Sequence, residues 1–280
     1  MRSIPPLNLQ DHKLFADIAE AKQGDRGTLM TGLAQTAKAA YVAYSKAAPA
    51  VDTLDATALN EGQAEAMKHA YNVATAPFAK ARGKLLGRVV ANVCPFCDVG
   101  ESTTLDHYLP KEHWPIYAVF TRNLVPSCAS CNTRKKVLVV DEAEGVRAFL
   151  HPYFDAIPTQ RFLALNAVLH PNTLSLTYTV FRPAGVDAPT FRHLRSHFNK
   201  MKLAKRHRLR SLSHLKDRLP ALRRWFATGG QAQVSAELTQ EANDLSGSLG
   251  VNSWNVLLYE TLAANPDFCD EGFEVVSVIQ

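Results

Sequence analysis

The chain has 280 residues, 46% hydrophobic and 20% charged, which is ordinary for a globular protein and ample for one large core or two smaller ones. No apolar run approaches the eighteen or so residues that cross a bilayer, and the opening MRSIPPLNLQDHKLF lacks the apolar core of a secretory signal, so the expectation is a cytoplasmic protein with reduced thiols and no membrane partner. The net charge of +5 is unevenly placed: Arg192 to Arg224 holds twelve Lys or Arg and one acid, Asp217, so this segment carries +11 and the rest −6, a pattern that suits either a polyanionic partner or a solvated helix face.

Residues 1–90 read as helices rich in Ala, with apolar residues at three- and four-residue spacing in LFADIAEAK, LMTGLAQTAKAAYVAYSKAA and GQAEAMKHAYNVATAPFAKARGKLLGRVV. Pro49, Asp52 and Pro77 punctuate them. Tyr41, Tyr44, His69 and Tyr71 read as packing residues. Residues 91–155 differ: four of the five cysteines and five prolines fall there, and helical periodicity is weak. In residues 156–280, RFLALNAVLHPNTLSLTYTVF predicts two strands joined at HPNT. Helical spacing returns from Ala188, with Leu194, Phe198, Met201, Leu209, Leu212, Leu215 and Leu219 as the apolar stripe. Pro220 is expected to break or kink that helix, and TGGQ to separate a last helical piece, VNSWNVLLYETLAAN.

The cysteines form two pairs, CPFC (Cys94, Cys97) and CASC (Cys128, Cys131). Two intervening residues let both thiolates of a pair reach one tetrahedral ion, and two such knuckles complete a four-sulfur site for zinc or iron. Disulfides do not suit a reduced compartment. A redox pair normally stands alone beside a βαβ unit, and two matched spacings argue against unrelated buried thiols. Structural zinc is therefore the expectation. Thirty residues separate the knuckles, more than the roughly 15–20 of common zinc ribbons, so a long insert must leave one knuckle and return to the other. Cys269 has no partner cysteine and reads as a small packing residue.

The insert contains TLDHYLPKEHWP and RNLVP, and Asn132 follows the second knuckle in CASCNTRKK. A carboxylate and an amide oxygen are hard ligands suited to Mg²⁺ or Mn²⁺, and an imidazole beside them can take a proton from water near neutral pH. Adjacent residues of a strand face opposite ways, so Asp106 and His107 need a bend to serve one site. A helix starting at Cys128 and capped by Ser127 would put Lys135 and Lys136 about one turn past Asn132, in reach of a substrate phosphate or of solvent.

Taken together, C-x2-C…LDHYLPK…NLVPSC-x2-CN-x2-K resembles the HNH endonuclease family in its zinc-containing branch. The resemblance covers about residues 91–155 and implies an α+β, mostly helical protein: a central ββα-metal module with a four-Cys zinc site, flanked by helical N- and C-terminal regions (1–90 and 156–280) and a β-hairpin. It implies that His107 is the general base, that Asp106 and Asn132 hold a catalytic Mg²⁺ or Mn²⁺, that Asn123 orients the loop and the base, and that Cys94, Cys97, Cys128 and Cys131 hold structural Zn²⁺. Asn132 stands where the family's last His is often replaced. Lys135, Lys136 and Lys111 are candidates for substrate phosphate, with His113 a weaker one. His151, in FLHPYFD, is a candidate for a turn that closes the module near the metal. The implied function is hydrolysis of nucleic-acid phosphodiester bonds, DNA above all. The layout also looks like that of bacterial restriction or phage-defence nucleases, including the nuclease subunit of Septu, which works with an ATPase. A partner ATPase and a homo-oligomer are expectations of that likeness. The alternative is a non-catalytic zinc module that binds nucleic acid or protein.

Overall fold

A computed structural model describes residues 1–89 and 92–278. The chain is a mixture of helix and small sheets, divided into two compact units, 1–156 and 157–280. The boundary expected between residues 90 and 91 lies outside the described residues, and the first unit contains the helices before it and the cysteine-rich segment after it together.

The first unit opens with α1 (Asp11–Ala21), α2 (Asp25–Gly32), α3 (Ala34–Ala47), α4 (Glu61–Asn72) and α5 (Ala76–Leu86). Their starts follow from local chemistry. Asn60 and Gln63 exchange side-chain and backbone bonds in a capping box at α4, and Pro77 occupies the first turn of α5, where a missing N–H costs nothing. Then come β1 (Thr104–His107), β2 (Leu124–Ser127), α6 (Ala129–Lys135) and the short pair β3 (Val140–Asp141) and β4 (Val146–Arg147). β1 and β2 are antiparallel, with Asp106 opposite Val125 and His107 opposite Leu124. The core of this unit is aromatic: Tyr41 stacks on Phe120 at 4.1 Å, and Tyr44 meets Phe120 and Tyr117 edge-on. The α3 tyrosines are thus packing residues, as their spacing suggests, and they pack on the insert between the cysteine pairs.

The second unit begins with the hairpin β5 (Leu163–His170) and β6 (Thr173–Val180), whose last pair is His170 with Thr173. β6 alternates strictly, burying Leu174, Leu176 and Tyr178. Four helices follow: α7 (Ala188–Lys200), α8 (Leu203–Leu249), α9 (Trp254–Ala263) and α10 (Pro266–Cys269). Two sequence expectations fail in α8. Pro220 does not interrupt it; the only non-helical backbone is at Gly229 and Gly230, where Gly230 takes φ +63°, a left-handed conformation that glycine adopts at no steric cost. Of the expected apolar stripe, Leu209 is turned outward and 50% exposed. Among the described residues no helix is long and apolar enough to cross a membrane.

Tyr178 ties the hairpin to two helices: its hydroxyl donates to the Trp254 carbonyl at 2.9 Å and shares a 2.7 Å bond with Ser211. Tyr178→Phe keeps the ring and removes both hydroxyl hydrogen bonds, so the second unit should lose about 1–3 kcal/mol. Urea unfolding followed by fluorescence of the buried Trp254 measures this, and an unchanged midpoint would refute the role.

Candidate metal centre and active site

The four cysteines converge, as their spacing predicts. Their sulfurs lie within 4.8 Å of one another, all buried, and Cys97 and Cys128 are 3.9 Å apart. Metal–sulfur bonds of about 2.3 Å in a tetrahedron put sulfurs about 3.8 Å apart, so the cluster can hold one metal ion such as zinc. The first knuckle is a tight turn in which Cys97 and Asp98 both donate N–H to the Cys94 carbonyl and Gly100 N–H points at the Cys97 sulfur at 3.4 Å. Arg2 pairs with Asp98 and fastens the first residues to this turn. In the second knuckle the helix cap is Cys128, not Ser127: its sulfur accepts the Cys131 N–H at 3.4 Å, while Ser127 ends β2. Hydrogen bonds among the sulfurs hold the Cys128 thiol down and push Cys94 and Cys131 up. Cys269 lies in the second unit, donates to the Leu262 carbonyl and is pushed up to about 11 by burial.

Between the knuckles, β1 carries Asp106 and His107 on opposite faces, as strand geometry requires. The Asp106 face meets α6. Lys135 Nζ is 3.6 Å from Asp106 Oδ2, and Asn132 Nδ2 is 3.5 Å from Thr104 Oγ1, two residues back on the same face. Asp106 is 3% exposed, and its Oδ2 has no hydrogen-bond partner. Burial pushes its carboxyl up to about 6 against the opposing pull of Lys135.

The His107 face meets α4 and the 114–123 loop. Its Nε2 is 2.9 Å from the Ala118 carbonyl oxygen. A carbonyl only accepts, so Nε2 carries the proton and Nδ1 of the neutral ring keeps a lone pair. Burial pulls the imidazole down to about 3 and keeps it neutral. Tyr71 lies edge-on to the ring at 4.2 Å and donates to the Leu105 carbonyl at 2.7 Å.

Asn123 makes no contact with these groups; it holds the loop that does. Its Oδ1 accepts from Leu109 N–H at 2.8 Å and from the Tyr44 hydroxyl at 3.1 Å, and its Nδ2 donates to the Leu109 and Tyr117 carbonyls. His151 lies behind it, fully buried: Nδ1 accepts from Tyr153 N–H, so Nε2 donates to the Tyr44 hydroxyl at 3.1 Å. Its place in the turn thus supports the loop from below, and both ring nitrogens are used.

The lysine candidates separate. Lys135 is 1% exposed, under the strand, donating to the His107 carbonyl at 2.6 Å, so it is a brace for β1 and not a solvent-facing phosphate contact. Lys136 is exposed just past the end of α6, with φ +46°. Lys111 is half-buried, 2.7 Å from Glu112 and 6.0 Å from the centre of the Tyr71 ring, and His113 is exposed. Tyr44 and Tyr71 are the residues whose place at the site the sequence reading missed; their helical spacing carries a packing signal and none of what they pack against.

No protein-family model and no solved structure matches the chain. Protein ea31 of Escherichia phage lambda is similar to it, 32% identical over 192 residues, which cover 62% of each of the two proteins. The chain therefore spans less than two thirds of that relative's length.

The cluster makes a direct expectation: purified protein should contain about one zinc per chain by plasma emission spectroscopy. Cys269→Ser should keep it; Cys97→Ser and Cys131→Ser should lose it, with a lower melting temperature. Full zinc in either knuckle variant would rule out the four-sulfur site.

Proposed function

We propose that this chain is a metal-dependent endonuclease of the HNH kind that hydrolyses DNA phosphodiester bonds. The observation that carries the reading is the Asp106 carboxylate: buried, with Oδ2 making no hydrogen bond and held only by a 3.6 Å ion pair with Lys135, on the strand that also presents a neutral histidine with a free Nδ1. A buried carboxylate oxygen without a hydrogen bond is costly, and the Lys135 ammonium at 3.6 Å offsets burial only in part; a divalent cation bound there would offset more. A carboxylate and the amide oxygen of Asn132, on the facing helix, are a donor set suited to Mg²⁺ or Mn²⁺. The order also supports the reading: β1 and β2 lie between the two halves of the cysteine cluster, and α6 carries its last member, Cys131.

In this mechanism His107 Nδ1 takes the proton of a water as its oxygen attacks phosphorus, and the P–O bond on the far side breaks. The divalent ion would neutralise charge on the phosphate and the leaving oxygen. Asn123 and the Ala118 carbonyl fix the imidazole's tautomer and orientation. Lys135 braces the strand beneath Asp106. We place the activity in restriction or anti-phage defence with a partner ATPase; copurification of such a partner is its separate test.

Supercoiled plasmid incubated with Mg²⁺ or Mn²⁺ should be nicked by wild type. His107→Ala should slow nicking by about 10²–10⁴-fold, and Asp106→Ala should leave no metal-dependent cleavage. Equal rates for wild type and His107→Ala would end the proposal. DNA binding without any cleavage would favour the zinc-binding-module alternative, for which the exposed basic face of α8 (Lys205, Arg208, Lys216) is the natural surface.

A further inference from the structure

Tyr71 carries more than the edge of His107. Arg82, on α5, sets its guanidinium carbon 5.3 Å from the centre of the Tyr71 ring and 5.9 Å from that of Phe78. Lys111, on the loop after β1, reaches the same Tyr71 ring at 6.0 Å. Two cations thus share one ring, and that ring lies 4.2 Å from the imidazole. Lys111 is partly neutralised by Glu112. Among the described residues the Arg82 side chain makes no ion pair and no hydrogen bond; its guanidinium lies over the two rings.

This is an unusual state for a half-buried arginine. Its five N–H donors lie in the guanidinium plane, in a rigid fork that fits a phosphate. Its place over two rings favours this rotamer, so less side-chain freedom is left for binding to freeze. Two like charges held at one ring repel each other, and an anion between them turns the repulsion into attraction. Tyr71 itself is fastened to β1 by its bond to the Leu105 carbonyl, so the cations keep a set position relative to His107.

We propose that Tyr71, Arg82 and Lys111 form a phosphate clamp that grips the DNA backbone at the phosphate next to the one attacked beside His107. The proposal rests on the nuclease reading for its substrate. The residues come from α4, α5 and the insert together, so the N-terminal helices supply part of the substrate site. The clamp reads no bases; it sets the position of the strand.

The test uses the full-length protein, a short fluorescein-labelled DNA duplex, and Ca²⁺ in place of Mg²⁺ to suspend cleavage. Binding is followed by anisotropy across a salt series; cleavage is then measured with Mg²⁺. Arg82→Gln should raise Kd and KM about threefold to tenfold and reduce the slope of log K against log salt by about 0.9, the share of one phosphate contact. Its kcat should stay within about twofold, as expected when binding common to ground and transition states is removed. Arg82→Lys should keep the salt slope, which a merely structural stacking role would not require, and this variant decides the matter if Arg82→Gln melts early. Wild-type Kd and slope in Arg82→Gln, or a fall in kcat at unchanged KM, would overturn the clamp. A wild type that binds with the expected Arg82-dependent slope and never cuts would instead overturn the nuclease reading and leave the clamp standing.

Discussion

The geometry around the insert depends on one amide side chain. Asn123 is fully buried and uses all of its hydrogen-bonding capacity: two acceptor bonds at Oδ1 and two donor bonds at Nδ2. Those four bonds join the chain just after β1, at Leu109, to the loop at Tyr117, and both to Tyr44 of α3. The residue after Tyr117 is Ala118, whose carbonyl fixes His107. An aspartate there would lose two donors and bury a charge, and an alanine would take the Asn123 partner from the Leu109 carbonyl and N–H, each at a cost of about 1–3 kcal/mol. The position therefore tolerates little but asparagine, for reasons that precede any catalytic role.

The cysteine cluster and the asparagine divide the work. The cluster fixes the far ends of β1 and β2 by joining the chain before β1 to the start of α6. Asn123 fixes the near ends, where His107 and Leu124 face each other. Lys135 adds a third tie, from α6 to the His107 carbonyl. A strand of four residues is too short to hold its own register; three independent ties make it rigid. The cost of this arrangement falls on Asp106, a buried carboxylate one of whose oxygens makes no hydrogen bond and has only a 3.6 Å ion pair with Lys135. Proteins keep such a group where it meets a ligand.

Much of this was legible in the sequence, and the parts that were not share a cause. The two C-x2-C pairs state a ligand set whose geometry is nearly independent of the rest of the fold, so their convergence followed from spacing alone. The hairpin at HPNT was equally local, since period-two alternation and a turn suffice. What failed was decided by tertiary context. Lys135 looks like a surface lysine because α6 is short and basic, and only the packing of α6 on β1 buries it. Pro220 looks like a break, but a helix tolerates proline when its neighbours hold it, and the glycine pair at 229–230 is where the backbone turns. Tyr71 reads as packing, and it is packing; that its neighbour is the imidazole depends on α4 meeting β1 across some thirty-five residues of chain.

The opposite orientation of Asp106 and His107 looked like an obstacle to a shared site, and on the proposed reading it is an advantage. In-line displacement at phosphorus puts the attacking water and the leaving oxygen on opposite sides of the phosphate. A base must stand on the first side and the charge-neutralising ion on the second. Two residues on one face of a strand would crowd both functions to the same side. Adjacent residues at a strand's end present them from two sides, provided the strand stops there and leaves room for the phosphate beyond it. β1 does stop at His107, and the chain turns away through Pro110 into the 114–123 loop. The loop then returns the Ala118 carbonyl to Nε2, which leaves Nδ1 as the one nitrogen able to act as base. On the proposed reading, the alternation that argued against an Asp-His site is thus what would separate its base from its metal ligand.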